Sequence, residues 1–305
     1  MGFNIQTANV TFELKPKAPK HSYSLTHPFR YQEKLNTMKN IFIKLPAIIV
    51  IFIFLLNSCK KQDDVLVHVI KDEYNVEDQG KIGETLKKLI LQSPDRFPIL
   101  NQSEYHEFYT YINTLIYMLT NTNNVENRLT FDWEAIIIHD DKVTTAFITP
   151  GGKFFIYTGL LKFLTSETEL FSILAHEINY ADNGNITKRL SAEYGKDVIG
   201  DLLLGHDSPE TRNVAFNIRN LVFEESEVLV ADRYALALIC PFQYDALGLK
   251  TFLDSANTSI MDIEWLTTHP SSITRIERIE EYARNCGTHE DTFMERYAEY
   301  LSLLP

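Results

Sequence analysis

Basic side chains are in deficit: 29 Lys and Arg face 41 Asp and Glu, a formal charge of −12. Binding to nucleic acid through its backbone phosphates draws on clustered Lys and Arg, so no nucleic-acid partner is expected. The deficit is uneven. Residues 1–58 carry seven basic and two acidic side chains, leaving 22 against 39 from Cys59 onward, a net of −17. Glycine and proline are sparse as well, at 12 and 11 residues with 45% apolar residues and no low-complexity tract. That composition excludes a disordered chain and supports one sizeable core.

An apolar run long enough to cross a bilayer is also lacking. Residues 41–56 are interrupted by Lys44 and Pro46, leaving ten uninterrupted apolar residues. A spanning helix needs roughly 20, whereas a secretory core needs about 7–15 behind a basic start. Residues 38–58 therefore read as a signal peptide opening at Met38, and residues 1–37 as an upstream extension. The Leu55-Leu56-Asn57-Ser58-Cys59 boundary, followed by Lys60-Lys61 and Asp63-Asp64, resembles the bacterial lipobox. The resemblance implies acylation at Cys59 and a lipid anchor in the bacterial cell envelope, periplasmic or surface-exposed. Residues 59–75 are then a tether and residues 76–305 one domain. Nothing in the sequence brings the other two cysteines together, although the compartment permits a bridge. Cys240, closing the apolar run from Ala235 to Ile239, reads as a buried thiol.

Along that domain, residues 83–91 and 104–120 show helical apolar spacing, the latter with Phe108, Ile112, Ile116 and Leu119 on one face. The tyrosines of this second helix, Tyr105, Tyr109, Tyr111 and Tyr117, suit either a partner surface or a core cap. Alternation through Leu129, Phe131, Trp133 and Ala135 predicts a strand running into Ile136-Ile137-Ile138. Residues 143–149 and 153–158 form a short sheet around a Pro150-Gly151-Gly152 turn. From Gly159 the pattern is helical, broken near residues 182–185, 205–209, Pro241 and His269-Pro270. The fold class is α+β, mostly helical with a small sheet.

Ser166-Glu167-Thr168-Glu169 has the form of a capping box, and Leu170, Ile173, Leu174 and Ile178 follow as the buried face of a helix. On it stands His176-Glu177-Ile178-Asn179-Tyr180. Residues four apart share a helical face, so in an H-E-x-x-H segment two imidazoles bind one zinc while the Glu polarises the attacking water. The second His is here Tyr180.

Phe147-Ile148-Thr149-Pro150-Gly151-Gly152, Tyr157-Thr158-Gly159-Leu160-Leu161, Leu174-Ala175-His176-Glu177-Ile178, Ala231-Asp232-Arg233, and Thr268-His269-Pro270 with Arg275-Ile276 together resemble metallopeptidase family forty-eight. The resemblance covers roughly residues 80–285. It implies a zincin-like gluzincin domain that uses zinc. His176 would be a first ligand, Glu177 the general base, and Asp232 the carboxylate that orients a ligating His. A third ligand is implied four residues before Asp232, together with an edge strand that pairs with peptide, while the Pro150-Gly151-Gly152 turn delivers the strand at residues 153–158 to the cleft.

The pattern is incomplete. Tyr180 stands at the second ligand and Val228, with no donor atom, at the third. Glu227 is one residue off, a rotation of about 100°, and Glu224 lies a full turn away. His269 is the spare donor, while Arg275 reads as a loop-fixing residue. Zinc is then weakly held or absent. Two functions stay open: a non-catalytic pseudopeptidase that binds an extended peptide or envelope protein, and an active zinc metalloendopeptidase with a rearranged ligand set.

Overall fold

The computed structural model describes residues 74–287, 289 and 291–305. The expectations for the upstream extension, the signal peptide and Cys59 lie outside the described residues, as does all of the tether before residue 74.

Asn75 opens the domain as a helix cap, its side chain accepting from the Asp78 amide while the Asp78 carboxylate accepts from the Asn75 amide. Helix α1 (Val76–Leu91) therefore begins seven residues before the expected Gly83. In α2 (His106–Thr120) the stripe of Phe108, Ile112, Ile116 and Leu119 is buried as its spacing predicts. Two of its tyrosines are core residues with polar tips: the Tyr109 hydroxyl donates to the Leu100 carbonyl at 2.8 Å and accepts from the Ile137 amide at 3.1 Å. Tyr117, at 64%, is the tyrosine of this group that stays exposed.

The strands are β1 (Glu134–Ile138), β2 (Ala146–Ile148) and β3 (Lys153–Tyr157). The expected run through Leu129 is no strand. The Asp182 carboxylate accepts from the Glu126 and Asn127 amides and folds the segment into turns, with Leu129 86% exposed. Gly151 and Gly152, at φ 77° and 89°, make the turn that brings β3 back antiparallel to β2, with Phe147 opposite Phe155. Among the described residues the order is β1-β3-β2, with β1 and β3 parallel. The strand at residues 153–157 is thus central, and the edges belong to β1 and β2. All five β3 residues are buried, as a strand flanked on both sides should be. The edge facing the site belongs to β2. The outer edge of β1 is closed by Asn113 Oδ1 on the Ala135 amide and by Leu100 donating to Ile137.

The helical remainder follows as α3 (Thr158–Phe163), α4 (Glu167–Asp182), α5 (Asn185–Tyr194), α6 (Lys196–Leu203), α7 (Pro209–Asn217), a 3-10 turn (Ile218–Asn220), α8 (Glu225–Ile239), α9 (Gly248–Thr258), α10 (Trp265–Thr268), α11 (Ile273–Ala283) and α12 (Met294–Leu301). The four expected breaks are present, with further ones at 164–166, 195, 221–224 and 259–264 beyond those expected. Helix α4 differs from expectation in being buried along its whole length rather than on one face. It is wrapped by α2, α5, α8, α9, α12 and β2.

Cys240 and Cys286 form a disulfide with Cα atoms 5.0 Å apart, correcting the reading of Cys240 as a buried thiol. Cys240 directly follows α8 and Cys286 closely follows α11. Because those two helices pack together, their ends meet across 46 residues of sequence, and both cysteines are half-buried at the periphery. No helix among the described residues is long and apolar enough to cross a membrane.

Candidate active site

Ser166 starts α4 as its spacing predicts, its hydroxyl accepting from the Glu169 amide at 3.3 Å. Ten residues later the helix carries His176 and Glu177 into the centre of the domain, both fully buried. Helix α8 packs alongside and brings Asp232, whose Oδ1 lies 2.8 Å from His176 Nδ1. Arg275 of α11 grips the same carboxylate with two bonds, Nε to Oδ2 at 2.7 Å and Nη2 to Oδ1 at 2.9 Å. Its third nitrogen donates to the His269 carbonyl at 3.0 Å, which ties down the His-Pro loop.

Trp265 of α10 completes the pocket. Its indole N–H donates to Glu177 Oε1 at 2.9 Å, and its ring stacks on His269 at 4.3 Å between centroids. His269 Nδ1 lies 2.9 Å from the Thr268 hydroxyl and 3.2 Å from the Trp265 carbonyl. His269 Nε2 lies 3.5 Å from Glu177 Oε1. Tyr180 stacks on Phe223 at 3.8 Å, and its hydroxyl finds no hydrogen-bond partner. The Nε2 atoms of His176 and His269 are likewise buried and unpartnered.

The fold thus gathers His176, Glu177, Tyr180, Asp232 and His269. Val228 sits one turn before Asp232 on α8, fully buried. Neither neighbouring carboxylate substitutes for it. Glu227 accepts from Arg189 Nε at 3.1 Å and from the Glu224 amide at 2.9 Å, while Glu224 caps α8 in solvent.

Burial sets the charge states. It raises Glu177 to about 8, against the lowering effect of the Trp265 hydrogen bond. It holds His176 below its ordinary value despite the Asp232 carboxylate, and pushes His269 well below. It lifts the Tyr180 phenol well above 10. Burial alone would also raise Asp232, but Arg275 and His176 outweigh it and keep the carboxylate ionised. The cleft beside Glu177 and His269 is nearly shut. Phe147, Ile218, Leu221 and Phe223 close it to about 10 Å³, roughly the room for one water.

A capped His-Glu helix, a second helix supplying the carboxylate behind the His, and a small sheet beside them define a zincin-like metallopeptidase domain. The sequence profile of the family described as Peptidase family M48 matches residues 110–283, more than half of the chain, and the protein belongs to that family. It is 26% identical over 205 residues to a putative beta-barrel assembly-enhancing protease of Vibrio cholerae, covering 61% of this chain and 41% of that protein. It is 25% identical over 231 residues to the human mitochondrial metalloendopeptidase OMA1, covering 63% and 43%. The Arabidopsis thaliana OMA1 matches at 25% over 147 residues, covering 47% and 30%. The chain therefore spans less than half the length of these three relatives.

The family is zinc-dependent, and the residues present do not fit its three-ligand shell. A protein zinc site of this type uses two imidazoles and a carboxylate. Here the available donors are the neutral imidazoles of His176 and His269 and a neutral phenol, and the third position is an isopropyl group. Asp232 is already neutralised by Arg275, leaving little charge to offset a buried dication. Another acidic group, Glu84, Asp132 and Glu134, surrounds the Lys153 ammonium at 2.7–2.9 Å and is occupied by that cation.

Trp265 and Phe223 are the pocket residues that sequence reasoning missed. Trp265 left one usable sign, its place four residues before His269. Phe223 left none.

Proposed function

We propose that this chain is a pseudopeptidase: a lipid-anchored envelope protein that uses a metallopeptidase-shaped domain to bind an extended peptide or an envelope protein without cleaving it. The observation that carries the reading is the pair Tyr180 and Val228 at the two missing ligand positions, both inside the core. The closed cleft supports it, since a substrate carbonyl has no route to Glu177. A peptide would add to the β2 edge that β3 leaves free. Names such as beta-barrel assembly-enhancing protease among the relatives favour an envelope partner.

The test is proteolysis of unfolded casein by the purified protein with added zinc. No cleavage is expected, and binding of labelled casein should survive EDTA. Cleavage abolished by Glu177→Gln would overturn the proposal in favour of an active endopeptidase. For the anchor, Cys59→Ala should abolish labelling by a fatty-acid analogue. Unchanged labelling would remove the lipid from the account.

A further inference from the structure

Away from the His176–Glu177 pocket, a cavity of about 720 Å³ opens between α2 and α12, lined also by residues 242–244. It shares no lining residue with the small cleft beside Glu177. Glu167, which borders it, opens α4 nine residues before His176, about 14 Å along the helix axis. The lining follows α2 from His106 to Met118, about 18 Å of axis at the usual rise per residue. That is a groove about three helical turns long rather than a compact pocket.

The groove is built to hold its shape. Glu167 is fully buried and gripped on both oxygens: Arg296 donates to Oε2 through Nε at 2.7 Å and to Oε1 through Nη2, while the Tyr111 hydroxyl donates to Oε2 at 2.9 Å and the Tyr244 hydroxyl to Oε1. Tyr111 of α2 also stacks on Tyr300 of α12 at 4.0 Å between centroids. Walls fixed in advance spare a ligand the cost of ordering them.

What the groove offers is chiefly apolar. Leu115, Met118, Phe242 and Leu303 line it, and Thr110 and Thr114 donate their hydroxyls to the His106 and Thr110 carbonyls, each at 2.7 Å. Those hydroxyls are satisfied within α2 and need no ligand. The two long walls are helices, whose mid-helix backbone groups bond internally. An extended peptide lying between them would find few partners for its own amides, whereas a helix brings its backbone already paired. The charges then select the occupant's sign. Arg296 and Glu167 cancel, and Glu107 on α2 and Glu299 on α12 remain as exposed carboxylates with no ion-pair partner among the described residues. Carboxylates on both walls of an apolar groove, in a chain of net negative charge, complement a basic segment with one apolar face. We infer that the groove between α2 and α12 docks an amphipathic helix of a partner protein, its apolar face against Leu115, Met118 and Leu303 and its lysines or arginines against Glu107 and Glu299. The inference does not rest on the pseudopeptidase reading, which concerns the β2 edge and an extended peptide.

The experiment is fluorescence anisotropy of the purified full chain with a labelled leucine–lysine peptide patterned as an amphipathic helix, beside a scrambled peptide of the same composition and a leucine–glutamate peptide of the same pattern. The patterned lysine peptide is expected to bind at least about tenfold more tightly than either. Glu107→Gln with Glu299→Gln should weaken it about tenfold. Thr114→Arg, which puts bulk and like charge into the groove from an exposed helical position, should do at least as much. Glu193→Gln with Glu210→Gln removes the same charge from exposed positions on α5 and α7 and should change little. All five positions are exposed, and circular dichroism checks that the variants fold. The peptide comparison on the unmutated chain stands whether or not each of them does. Equal binding of the scrambled or the glutamate peptide, equal weakening by the two carboxylate pairs, or no binding of the patterned lysine peptide to the folded chain would overturn the inference.

Discussion

At the scale of single residues, the pocket turns on a buried carboxyl group. Glu177 is buried, accepts from Trp265 and is raised to about 8. Between its ordinary 4.5 and about 8, the folded chain retains a proton that the unfolded chain has released, so stability falls as pH rises through that window. His176 and His269 act in the opposite sense. Held neutral in the fold, they stabilise above 6.5 and lose that contribution as pH falls below it. The interval from about pH 6.5 to 8 therefore isolates Glu177. Unfolding free energy should drop there by about 2 kcal/mol, and Glu177→Gln should flatten the profile. A flat wild-type curve would mean that the carboxyl is ionised in the fold. The exchanges at Tyr180 and Val228 are legible in the sequence because ligand spacing on a helix follows its 3.6-residue period. Trp265 is not, because its contact with Glu177 spans 88 residues.

At the scale of elements, the site depends on α4 and α8 keeping the register that the family pattern assigns them. His176 against Asp232 fixes that register at one point, and Val228 lies one turn away on the same helix. Tyr180→His with Val228→Glu should then rebuild two imidazoles and a carboxylate. The double variant is expected to gain zinc affinity non-additively, by calorimetry, while each single change does little. Without metal, the buried carboxylate of Val228→Glu should lower stability by about 1–3 kcal/mol. A folded double variant with no added zinc affinity would mean that the helices are set differently. The capping box at Ser166 made the start of α4 readable. Strand order was not, because alternation reports which residues are buried and not which strand lies in the middle. The one-sided reading of α4 failed for a related reason: polar Glu167 is buried against Tyr111, Tyr244 and Arg296, partners that sequence spacing does not reveal.

At the scale of the whole molecule, the domain keeps a peptidase architecture around a nearly closed pocket. Its outer parts are tied by the Cys240–Cys286 bridge across 46 residues. Replacing both cysteines by serine should lower unfolding free energy by about 2–4 kcal/mol in denaturant titration, and unchanged stability would mean that the thiols are not linked in solution. The central claim is that this chain has the family's frame without its zinc. It is tested most directly by metal analysis of the purified, folded protein after equilibration with excess zinc and removal of the unbound ion. Far less than one zinc per chain is predicted, with no further loss in His176→Ala. One zinc per chain, released by that substitution, would contradict it.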